Sequence, residues 1–160
     1  MQPIMTKTLV LAVGDVSSAD ESAGAHAMRY LKDHYDLPDT AYLDAGTPSV
    51  TLAAEIAAAD ILIVFNTAQL DADPGTIRIF EDDDVDLADL IEVDRLDNKL
   101  PTHCALISIQ PGQTGSGGSL SETVRRSLPK AAGNAATLIQ RWRRSESVFS
   151  TGLHSLPNSV

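Results

Sequence analysis

Three carboxylates crowd one short stretch near the start of the chain: Asp15, Asp20 and Glu21 in Gly14-Asp-Val-Ser-Ser-Ala-Asp-Glu-Ser-Ala-Gly24. Carboxylates that converge bind hard or borderline cations, whereas those that do not converge are solvated loop residues, which is the commoner case. A second acidic run, Glu81 to Asp84, has a structural use as the cap of a helix through Leu87, Leu90 and Ile91, because a helix N-terminus stabilises negative charge. The single cysteine, Cys104, lies in an apolar run, so a buried and inert thiol is expected, in keeping with a reducing compartment. No serine, cysteine and histidine arrangement offers a nucleophile with its base, because Cys104 falls inside a predicted strand and His103 beside it must point to the opposite face. The residues alone name no catalytic group.

The elements that must position these side chains alternate. Thr8 to Val13 is a short, β-branched apolar run that suits a strand buried on both faces, and Gly24 to Tyr35 has Ala27, Tyr30 and Leu31 at helical spacing before Leu37-Pro38 ends it. Ala41 to Leu43 leads into Asp44-Ala-Gly-Thr47, Val50 to Ala59 is an Ala-rich helix, and Ile61 to Phe65 is the clearest buried strand. After the Pro74-Gly75 turn, Thr76 to Phe80 alternates as a half-buried strand at or near a sheet edge does. Ala105 to Ile109 is another strand, Gly112 to Ser119 a Gly/Ser-rich loop, and Leu120 to Arg144 a long last helix. This order predicts an α/β fold, a single three-layer α/β/α domain over 1–144 with a mostly parallel five-stranded sheet, followed by a loosely held tail over 145–160. Ligands of such sheets bind beyond the carboxyl ends of the strands, which singles out the segments after Val13, Leu43 and Phe65.

Bulk composition narrows the function by exclusion. A formal charge of −10, from 22 acidic against 12 basic residues in 160, repels nucleic-acid phosphates and anionic lipid headgroups. No apolar stretch reaches the roughly 18 residues of a membrane span, and Met1 to Thr8 lacks the apolar core of a secretory signal. The expectation is a cytoplasmic monomer that binds neither nucleic acid nor membrane.

Taken together, the motifs resemble the [NiFe]-hydrogenase maturation proteases. The first loop has that family's spacing of G-x-G-N, four variable residues, D-E and a glycine three positions on, with Ala12 replacing the first glycine and Asp15 the asparagine. Leu43-Asp-Ala-Gly-Thr47 is similar to the family's D-(G/C/H)-G-T box, and Pro74-Gly-Thr-Ile77, Leu87-Ala-Asp-Leu90, Ile109-Gln-Pro111 and Leu120-Ser-x-x-Val124 before Leu128-Pro129 follow in order. Each motif is weak alone, but their shared order from about residue 8 to 142 is specific.

What the resemblance implies is a metal-dependent endopeptidase of the kind that removes a C-terminal extension from the hydrogenase large-subunit precursor once nickel is installed. The nickel is recognised in the precursor by a glutamate, an aspartate and a histidine, and the D-(G/C/H)-G-T box selects the substrate. Glu21 carries over directly; the aspartate position holds Asn66, and counting back from Leu87 assigns the histidine position to Asp83. Asp44, Gly46 and Thr47 become the substrate-binding residues. A neutral amide oxygen and a carboxylate are poorer nickel ligands than carboxylate and imidazole, so weak or no metal binding by the isolated protein is expected. Among the histidines, His26, five residues past Glu21, is the nearest substitute, although a surface histidine without a ligand role is the commoner finding. Two functions follow: a working protease, or a non-proteolytic relative that binds the large subunit as chaperone or checkpoint. Recruitment of the fold to an unrelated small ligand is a third, which no residue suggests.

Overall fold

Apolar runs of five to seven residues form the central strands, and more polar five-residue segments form the edges. In the computed structural model, which describes residues 6–14, 19–44, 47–86, 101–112 and 119–155, the strands are β1 (Thr8–Ala12), β2 (Thr40–Asp44), β3 (Ile61–Thr67), β4 (Ile77–Glu81) and β5 (His103–Ile109). They lie in the order β2-β1-β3-β5-β4, parallel throughout except that β4 runs antiparallel to β5. The helices are α1 (Ala23–His34), α2 (Ser49–Ala58) and α3 (Glu122–Ser155). The expected helix through Leu87, Leu90 and Ile91 lies outside the described residues. The last helix continues to Ser155, into the span expected as a tail.

Side-chain alternation along the central strands divides the core between two faces. Val10, Ile61, Ile63, Phe65, Ala105, Ile107 and Ile109 pack with Ala27 and Leu31 of α1 and with Val124, Ala135, Ile139 and Trp142 of α3. On the other face Leu9, Leu11, Leu62, Val64 and Cys104 meet Leu52 and Ile56 of α2. The sequence therefore yields the three-layer α/β/α domain that its element order predicts.

The two edges of the sheet are closed differently. At the amino edge, the Arg143 guanidinium on α3 donates to Thr8 Oγ1 at 3.0 Å and to Thr40 Oγ1 at 3.1 Å, at the starts of β1 and β2. At the carboxyl edge, buried Gln110 ties the loops together: its Oε1 accepts from Leu70 N at 2.6 Å, and its backbone pairs with Thr76 and Gly75.

Candidate functional site

Because β1 is flanked by β2 on one side and β3 on the other, the strand order reverses between β1 and β3. A reversal leaves a crevice beyond the carboxyl ends of the two strands, where open α/β sheets bind ligands. Glu21 and Asn66 flank it. The chain leaving β1 turns at Gly14, whose φ of +141° disfavours any side chain and where an added Cβ would sit 2.5 Å from the Glu21 carbonyl oxygen. It then forms a 3-10 turn at Asp20–Ser22 and enters α1 at Ala23, and Gly24 is packed so closely that a Cβ there would come within 2.9 Å of Phe65 O and 3.1 Å of Val13 O. The Glu21–Gly24 stretch thus lies across the ends of β1 and β3, with Asn66 next along β3. Glu21 is partly buried, and its carboxylate takes no hydrogen bond or ion pair among the described residues.

Asn66 has a partner. Its Oδ1 accepts from the hydroxyl of buried Ser108, directly opposite in β5, at 2.6 Å. The amide oxygen is therefore held and partly engaged before any ligand arrives. Asp44, the last residue of β2, lies at the same edge but faces α1. There it borders a cleft of about 450 Å³ lined also by Met28, Arg29, Lys32 and Tyr42. Thr47 closes a turn onto it, its N–H donating to Asp44 O at 3.0 Å. Asp15 and Gly46 lie outside the described residues.

Asp83 is not part of this arrangement. Because β4 runs antiparallel, it carries the chain from the carboxyl edge, where Ile77 pairs Ile109, to the amino edge, where Glu81 pairs Ala105. The exposed 3-10 turn Asp82–Asp84 follows there, anchored by Asp82 Oδ1, which accepts from Cys104 N at 3.1 Å. The sheet separates Asp83 from Glu21 and Asn66, so the assignment obtained by counting back from Leu87 fails geometrically. Among the described residues no three histidine, cysteine, aspartate or glutamate side chains converge.

The histidines do not fill the gap. His103 stacks on Trp142 with ring centroids 4.9 Å apart at the amino edge, and His34 stacks on Tyr30 at 3.8 Å. His26 stands in the first turn of α1, where burial, then Arg29 and Arg125, depress its pKa. The positive charges of Arg29 and Arg125 also oppose a divalent cation there. Cys104 is buried at the amino edge, and desolvation, helped by Asp82, pushes its thiol up to about 12, so it supplies no thiolate at neutral pH.

Asp20 is the residue whose role the sequence did not disclose. It is fully buried, and its two carboxylate oxygens accept from Ser121 N at 2.7 Å, Ser121 Oγ at 2.8 Å and Gly112 N at 2.9 Å. It is neither a solvated loop acid nor an open ligand; of the polar residues that complete this edge, Gln110 and Ser121 carried no sequence signal beyond their family motifs and Ser108 carried none.

The likeness to known proteins agrees with this architecture. Residues 25–138 match the family described as hydrogenase maturation protease. The chain is 32% identical over 139 residues to the hydrogenase expression/formation protein HoxM of Azotobacter vinelandii, covering 77% of this chain and 67% of that one. It is 28% identical over 156 residues to HupD of Rhizobium leguminosarum bv. viciae, covering 88% and 77%. The fold superposes on the hydrogenase maturating endopeptidase HybD of E. coli with a TM-score of 0.74 at 25% identity, covering 85% of this chain and 93% of that one. Among the described residues no helix is long and apolar enough to cross a membrane. With the match spanning most of the chain, and Glu21 and Asn66 lying at the carboxyl ends of β1 and β3, the chain belongs to the hydrogenase maturation protease family.

Proposed function

We propose that this chain acts in the cytoplasm, as a monomer, on a [NiFe]-hydrogenase large-subunit precursor, removing its C-terminal extension after nickel has been inserted. The observation that carries the reading is the placement of Glu21 and Asn66 on either side of the β1/β3 crevice, Glu21 with its carboxylate open among the described residues. In this reading nickel arrives as part of the substrate, Glu21 supplies the charged contact to it, and Asn66 supplies a neutral oxygen oriented by Ser108. The Asp44–Thr47 turn, beside the α1 cleft, reads the identity of the partner. Because the metal is delivered bound, the isolated chain needs little affinity of its own for free Ni²⁺. Cleavage here uses no cysteine nucleophile, since Cys104 lies buried at the far edge.

The test is to mix the purified chain with nickel-loaded and nickel-free precursor and follow loss of the extension by mass spectrometry. Only the loaded precursor should be cut, and Glu21→Gln should slow the reaction on the order of a hundredfold, corresponding to about 3 kcal/mol for a lost charge-assisted contact. A loaded precursor that keeps its extension overturns the protease reading. A second reading is favoured by Asn66 at the family's aspartate position and by the lack, among the described residues, of three converging histidine, cysteine, aspartate or glutamate side chains: a chaperone or checkpoint that binds without cutting. Its signature is a stable complex with uncut precursor.

A further inference from the structure

Asp20 and Glu21 are adjacent acids with opposite situations. The side chain of Asp20 is fully buried and accepts from N–H and O–H donors of Gly112 and Ser121, whereas Glu21 is partly exposed and its carboxylate takes no hydrogen bond or ion pair among the described residues. The donors are far from Asp20 in sequence, so one carboxylate fastens Gly112, just after β5, and Ser121, just before α3, to the 3-10 turn that carries Glu21. Gly112 approaches closely enough that an added Cβ would lie 3.5 Å from Asp20 Oδ2 and 2.9 Å from Pro74 Cβ. Ser121 also starts α3, its Oγ accepting from Val124 N at 3.4 Å.

The backbone around Glu21 is held at two further points among the described residues. Ser22 N and Oγ both donate to Ala19 O, at 3.2 and 2.7 Å, and the Glu21 carbonyl abuts Gly14. Glutamate has three rotatable side-chain bonds, so fixing its backbone sets the space its carboxylate can reach. A ligand group held this way owes its position to the bonds that fix its neighbours.

We propose that Asp20 is a positioning residue: through Ser121 and Gly112 it holds the turn that aims Glu21 into the crevice. The inference rests on the reading of Glu21 as the contact to the nickel-bearing precursor. Asp20→Asn turns an acceptor into a donor facing N–H groups and can unfold the chain, so Ser121→Ala, which deletes one donor and leaves both backbone N–H groups, is the deciding variant. Affinity for the nickel-loaded large-subunit precursor encoded in the same genome is measured by calorimetry for wild type, Ser121→Ala, Glu21→Gln and the double variant.

Ser121→Ala should weaken binding roughly fivefold in the wild-type background and add nothing in the Glu21→Gln background, since residues that act through one contact are not additive. Ser121→Thr, which keeps the hydroxyl, should restore binding. Equal losses in both backgrounds, or no loss from Ser121→Ala while the wild type binds, overturn the positioning role and leave the function intact. A wild type that does not bind the precursor overturns the function and this inference together.

Discussion

At Asn66 an amide oxygen, already accepting the Ser108 hydroxyl at 2.6 Å, stands where the family resemblance places a carboxylate. A carboxylate has lone pairs enough to keep the Ser108 bond and add a charged contact to a cation. Asn66→Asp should therefore tighten binding of free Ni²⁺ by about tenfold, a gain of about 1.4 kcal/mol. Titration of both proteins checks it; equal affinities would mean that Asn66 does not face the ion. That Glu21 and Asn66 share the carboxyl edge was legible because each follows a buried parallel strand. The function of Asp20 was not: an acid in a loop next to serine, alanine and glycine looks solvated, and only its donors at Gly112 and Ser121, distant in sequence, reveal a buried clamp.

At the scale of elements, the strands and helices followed from apolar period and turn residues, but the direction of β4 did not enter the reading of Asp83. The signal existed. Residues 68–76 join β3 to β4, fewer than the dozen or more a parallel crossover needs, so an antiparallel return to the amino edge was implied. The packing of α1 against the sheet offers a sharper test. Gly24 has an ordinary backbone conformation, so its need for glycine is purely steric: a methyl would meet the backbone oxygens of Phe65 and Val13 at 2.9 and 3.1 Å. Backbone cannot swing aside as a side chain can. Gly24→Ala should cost about 1–3 kcal/mol in stability and also weaken precursor binding, because α1 must shift with the Glu21 turn attached. Thermal denaturation alongside a binding assay reads both; a variant as stable as wild type would show that the helix moves freely.

For the molecule as a whole, one sheet serves two cores, and neither can persist without the strands they share. Ile139→Ala on the α3 face and Ile56→Ala on the α2 face should each lower stability by about 2–5 kcal/mol within a single denaturant transition of unchanged slope, since both side chains are fully buried. Two separate transitions would mean that the faces melt independently. The long-range closure by α3 has a consequence for how the protein is born. Synthesis proceeds from the N-terminus, yet the face of the sheet bearing Ile61, Ile63, Phe65 and Ile107 is covered by α1 alone until the last helix arrives. The starts of β1 and β2 wait for Arg143, and Asp20 waits for Ser121. A half-made chain emerging from the ribosome therefore has neither a finished core nor an aimed Glu21, and the recognition edge comes into being only when translation has carried the chain through its final helix.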